Sequence, residues 1–142
     1  MNRFLVILFV SGFTLIGYCD TIDNWQVYYN DSIIAKYNSN SQDLTIKIDQ
    51  SSIRDLDSIS IQYGDDTPCH TCIEFFYARD EKQVLLIRTQ NETSKGKLSL
   101  RIQELIYRSK PNSSKQYNFY YREENSSGIK PKDVPVFKLI LK

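Results

Sequence analysis

The sequence predicts an all-β domain, an antiparallel two-sheet sandwich, immunoglobulin-like in broad architecture, with eight or nine short strands. Three observations predict it. Apolar and polar residues alternate with period two in short runs, as half-buried strands require, because successive side chains point to opposite faces of a sheet. Clusters of Asn, Asp, Ser, Gly and Pro separate the runs, and these residues make turns. The chain is rich in Ile, Tyr, Phe, Thr and Ser and contains only two Ala, which favours pleated structure.

The elements follow in order. Residues 25–29 and 33–37 flank Asn30-Asp31-Ser32, the pattern of a tight hairpin. Leu44, Ile46 and Ile48 then alternate with Thr45, Lys47 and Asp49. Ile59, Ile61 and Tyr63 alternate with Ser60 and Gln62; Ile73, Phe75 and Tyr77 alternate with Glu74 and Ala78. These two runs read as a hairpin whose loop carries two cysteines. Residues 84–87 are continuously apolar, as expected of a strand covered on both faces. Leu98, Leu100 and Ile102 alternate with Ser99, Arg101 and Gln103, yet Leu98, Ile102, Leu105 and Ile106 also fit a helical stripe. A strand followed by a short turn of helix is expected over 97–108. Tyr117, Phe119 and Tyr121, and finally Phe137, Leu139 and Leu141, complete the pattern. On this parity Tyr28, Phe76 and Tyr120 point away from the core. They would form an exposed aromatic patch for a sugar or protein, unless both faces of a central strand are covered.

The first residues read as a secretory signal peptide. Arg3 supplies a positive charge, residues 4–17 are apolar or small with only Ser11 and Thr14 mildly polar, and Asp20 is the first acid. Gly17 and Cys19 are the small residues that a cut before Asp20 requires. The domain organisation is therefore a signal peptide over 1–19 and a single β-sandwich domain over 20–142. A second reading retains Cys19 as a lipidated first residue, though the bulky Tyr18 before it departs from that pattern. No later stretch approaches the roughly 20 apolar residues of a membrane span. The sequence places the protein outside the cytoplasm: periplasmic, outer-membrane-associated or extracellular.

Without Arg3 the chain has 17 basic and 17 acidic residues, since the full totals are 18 and 17. The charges are interspersed and no basic run occurs, which argues against a nucleic-acid partner. His70 is the only histidine, so no Ser-His-Asp set exists. Acid pairs such as Asp65-Asp66 and Glu123-Glu124 lack the spacing of a calcium loop. No catalytic residues, metal site or cofactor are implied.

One local arrangement has chemistry of its own. Pro68-Cys69-His70-Thr71-Cys72 spaces two thiols by two residues. In an exported protein they are expected to form a local disulfide that staples a turn. An alternative is a redox pair, with Cys69 attacking, Cys72 resolving, and His70 and Pro68 modulating the thiolate. The spacing is that of thioredoxin-type oxidoreductases, but Ile73 onward alternates as a strand where that family has a long helix. A zinc site would need four ligands, and Cys69, His70 and Cys72 supply three.

Asp57-x-Ile59-x-Ile61-x-Tyr63, Asp65-Asp66-Thr67-Pro68-Cys69-x-x-Cys72, Tyr120-Tyr121-Arg122-Glu123 and Phe137-x-Leu139-x-Leu141 together resemble small exported all-β proteins of Bacteroidota. The resemblance spans most of the chain after the signal. It implies a location in the bacterial envelope and supplies no activity. The expected function is a non-enzymatic binding or structural domain with a protein or glycan partner. The alternatives are a small thiol–disulfide oxidoreductase or electron carrier, and a carbohydrate-binding module.

Overall fold

The computed structural model describes residues 22–64, 69, 71–91, 96–109, 115–125 and 131–142. The signal peptide over 1–19, the lipidation reading of Cys19, and Pro68 and His70 lie outside the described residues.

Among the described residues there are nine strands: β1 (Asn24–Tyr29), β2 (Ser32–Asn38), β3 (Thr45–Ile48), β4 (Ser58–Gly64), β5 (Ile73–Arg79), β6 (Leu85–Asn91), β7 (Leu98–Arg101), β8 (Gln116–Glu124) and β9 (Val134–Leu141). A 3₁₀ turn (Gln50–Ser52) follows β3, and one helix, α1 (Ile102–Arg108), follows β7 directly. The strand-then-helix expectation for 97–108 holds. The strands form a four-stranded sheet in the order β2-β1-β4-β7 and a five-stranded sheet in the order β3-β9-β8-β5-β6. Pairing is antiparallel except between β3 and β9, which run parallel. Nearly the whole domain separates these two strands, so the connection length that parallel pairing needs is met without a helix.

The inner faces of both sheets share one core. Trp25, Val27, Ile59 and Ile61 from the smaller sheet pack with Phe76, Phe119, Phe137 and Leu139 from the larger. Phe119 stacks on Phe137 with ring centroids 4.4 Å apart and on Phe76 at 5.4 Å. One directional bond crosses the core: the Trp25 indole donates to the Val136 carbonyl at 2.8 Å. A register shift explains why that carbonyl is free. Phe119 pairs with Phe137 and Tyr120 with Pro135, so Val136 has no partner on β8. Trp25 also stacks on Tyr63 at 5.8 Å, and Tyr63 on Tyr121 of the other sheet at 4.1 Å.

The β1–β2 turn is locked from the opposite end. Asn30 takes a left-handed conformation with φ 53°, which asparagine tolerates better than most residues. Its side chain accepts from the Ser58 amide at 2.9 Å and donates to Asp57 at 3.1 Å. Asp57 also accepts the Arg54 amide and the Tyr29 hydroxyl. These bonds, the Arg54 amide first, hold its carboxyl below the usual range.

Three expectations are corrected. First, β4 and β5 do not form a hairpin; they lie in different sheets, so the cysteine segment is a crossover. Second, the parity of β5 is inverted. Phe76 and Ala78 face the shared core, whereas Phe75 and Tyr77 are buried on the outer face. Both parities of this strand are apolar, so alternation could not choose between them. Third, residues 84–87 are not a doubly covered strand. Val84 and Leu85 are exposed, and β6 is a sheet edge. The doubly covered strand is β5.

Trp25→Phe removes the indole donor and leaves the Val136 carbonyl buried without its partner. An unsatisfied buried group costs about 1–3 kcal/mol. The urea midpoint is expected to fall by the corresponding amount with an unchanged slope; an unaltered midpoint would show that the sheets do not rely on this bond.

Candidate functional site at the disulfide end of the sandwich

The chain passes from one sheet to the other between β4 and β5. At the end of β4 a side chain on Gly64 would meet the Asn24 carboxamide at 3.0 Å, so glycine lets β4 end hard against β1. Cys69 and Cys72 are joined by a disulfide with their Cα atoms 5.4 Å apart. Cys72 is buried and Cys69 partly exposed. Ile73 begins β5 at once, so a strand, and no helix N-terminus, follows the pair.

The disulfide walls a cavity of about 330 Å³ that is also lined by Asp23, Tyr63, Tyr121, Glu123, Lys132 and Val134. The strand registers build it. Tyr63 and Tyr121 lie on inner faces, where their rings stack across the gap between the sheets. The Tyr63 hydroxyl donates to Asp23 at 2.9 Å. The β5–β8 register sets Glu74 directly opposite Glu123, an arrangement of like charges that destabilises a sheet. Tyr121 precedes Glu123 by two positions and therefore shares its face. Its hydroxyl lies 3.0 Å from Glu74 Oε1 and 2.7 Å from Glu123 Oε1.

A phenol carries one proton, so Tyr121 cannot serve two carboxylates fully. Burial raises the Glu74 carboxyl above its ordinary value; the Tyr121 hydrogen bond opposes this and the charge of Glu123 adds to it. Tyr121 is itself pushed far above the ordinary phenol range, by burial first and then by its bond to Glu123. The phenol therefore keeps its proton. The contacts are fully satisfied when protonated Glu74 donates to the Tyr121 oxygen and Tyr121 donates to Glu123. Chemically this is a proton-sharing chain at the edge of a small cavity. Among the described residues, no three of His, Cys, Asp or Glu converge to hold a metal ion, and no helix is long and apolar enough to cross a membrane.

Of the residues singled out in the sequence, the structure places Cys69 and Cys72 together at this cavity. It separates the three aromatic residues. Phe76 is in the core. Tyr28 lies on the outer face of the four-stranded sheet with the Lys97 ammonium 3.9 Å from its ring centre. Tyr120 lies on the outer face of the other sheet, stacked on Tyr77 at 5.5 Å. They form no common patch. Sequence reasoning missed the Glu74–Tyr121–Glu123 chain because it faced Glu74 outward. The available signal was Ala78, a small residue sharing Glu74's parity in a strand apolar on both parities.

No family model matches the chain, and neither a curated protein nor a solved structure matches it.

The raised pKa of Glu74 has a definite sign. The folded state binds this proton more tightly than the unfolded state, so the contribution is present below the ordinary value of 4.5 and is lost as pH rises through the folded pKa. Glu74→Gln removes that dependence. Urea denaturation is expected to show the variant gaining on the parent protein as pH is raised from 4.5 towards neutrality. Parallel curves for the two proteins would contradict the burial argument.

Proposed function

We propose that the protein is a non-enzymatic exported domain of the bacterial envelope that binds or scaffolds a partner, with Cys69–Cys72 as a structural staple. The observation that carries this reading is the placement of the disulfide. It pins the crossover between the sheets, with Cys72 buried at the start of β5. A helix N-terminus is one source of a redox pair's low thiolate pKa, and here a strand follows the second cysteine. The Tyr121 hydroxyl ties Glu74 and Glu123 together beside the cavity.

One observation favours a second reading, a thiol–disulfide oxidoreductase: Cys69 is partly exposed, as an attacking sulfur must be. Intact mass after alkylation in graded thiol buffers separates the two. A staple is expected to stay oxidised down to roughly −300 mV, and reduction between about −120 and −270 mV would overturn the staple in favour of exchange chemistry. The same spectra show whether the exported chain begins at Asp20 or carries lipid on Cys19.

Replacing both cysteines by serine is expected to lower stability by about 2 kcal/mol, the loop-closure value for so short a span, while leaving the fold intact. Denaturant titration with a far-ultraviolet readout checks this. Complete unfolding of the double variant would mean that the crossover has no other support.

A further inference from the structure

On the outer face of the four-stranded sheet one cation, Lys97, lies over a ring, that of Tyr28; Gln26 and Gln62 bond the Tyr28 hydroxyl, and Ser60 bonds Ser99 across β4 and β7. The five-stranded sheet turns out cations over aromatic rings. Arg88 and Arg122 lie over Phe75, at 4.9 and 5.9 Å from its ring centre. Arg79 lies 5.2 Å from the ring centres of both Tyr77 and Tyr120. Lys47 and Lys138 continue the cationic surface on β3 and β9, their chain neighbours Ile46 and Leu139 being turned into the core.

Acids are fewer than cations here; Asp43, its carboxyl held low first by hydrogen bonds from Thr45, also faces Lys47 and Lys138. Glu124 pairs with Arg122, and Asp133 reaches Arg79 at 3.3 Å and Arg122 at 3.5 Å. Arg88 forms no ion pair among the described residues. Arg122 Nε, in this cluster, is buried with no hydrogen-bond partner among the described residues.

We propose that this face binds an acidic polysaccharide through its carboxylates. The proposal rests on the reading of the chain as a binding domain and names its ligand. Guanidinium forks match carboxylate geometry. The rings beneath hold those forks in place, which reduces the ordering cost of binding. Arg88, Arg79 and Arg122 come from three adjacent strands, β6, β5 and β8. Such strands lie about 4.8 Å apart, so the cations suit a long repeating anion better than a single ion. Phe75 and Tyr77 are buried beneath the guanidinium groups, so neither can insert into a membrane or stack on a nucleobase.

The test is titration calorimetry of the purified exported protein with polygalacturonate. Dextran serves as the neutral polymer; polyglutamate and phosphatidylglycerol vesicles serve as other anions. Polygalacturonate is expected to bind, with affinity falling as salt is added, and dextran is not. Arg88→Gln is expected to weaken binding about tenfold, as loss of one charge-assisted hydrogen bond would. Lys36→Gln, on the other sheet, is expected to leave it unchanged. Arg88 is exposed, so an unchanged thermal midpoint confirms that its variant is folded. Absence of polygalacturonate binding, equal binding by the Arg88 variant, or tighter binding to polyglutamate or vesicles would overturn the proposal while leaving a binding domain in place. Depolymerisation of the polygalacturonate would instead overturn the non-enzymatic reading.

Discussion

Hydrophobic burial holds two sheets together but does not say how one lies on the other, because it is non-directional. In this sandwich the direction comes from the Trp25 indole, which donates across the core to the Val136 carbonyl. A carbonyl inside a regular ladder would already be used. The register shift of β9 leaves Val136 unpaired, so the irregularity in one sheet supplies the acceptor for the other. From Trp25 the order propagates outward through Tyr63 to Tyr121, and the ring stack ends at the disulfide cavity. The geometry of that cavity therefore follows from a bond buried in the centre of the fold.

Seen from the cavity, the disulfide and the acid chain address opposite sides of the same problem. The register that packs Phe76 and Phe119 into the core also sets Glu74 against Glu123 two positions on. That opposition is a cost the ladder cannot avoid without losing the core. Tyr121 lowers it by standing between the two carboxyls, and burial shifts Glu74 towards its protonated form. Just before β5 the Cys69–Cys72 disulfide lines the same cavity. Its short span limits how much chain entropy it removes, so its effect is positional. It keeps Cys72 buried beside the ring stack.

Much of the fold was legible because strands with one polar face announce their parity. β4 and β8 alternate, and their inner residues are the ones the alternation selected. β5 and β6 were misread for the same physical reason. An apolar run means coverage on both faces only if something lies there to cover it, and sequence does not say what. In β5 the outer cover is arginine: Arg88 and Arg122 of neighbouring strands lie over Phe75, and the strand's own Arg79 lies over Tyr77. In β6 there is no equivalent cover, and Leu85 faces solvent. The hairpin expected between β4 and β5 failed because a turn signal between two strands does not distinguish return within a sheet from passage to the other sheet.

The same limit bears on charge. A near-neutral chain with no basic run would ordinarily be expected to have no marked electrostatic face. Yet period two places every second residue of a strand on one side, so cations separated by many positions can be neighbours while cations adjacent in sequence cannot. Arg79, Arg88 and Arg122 are gathered only by the β6-β5-β8 order. Each is interleaved in sequence with core residues such as Ala78, Ile87 and Tyr121. In a β-sandwich, charge must therefore be summed by face after the strands are ordered. The same sum along the chain cancels to nearly nothing.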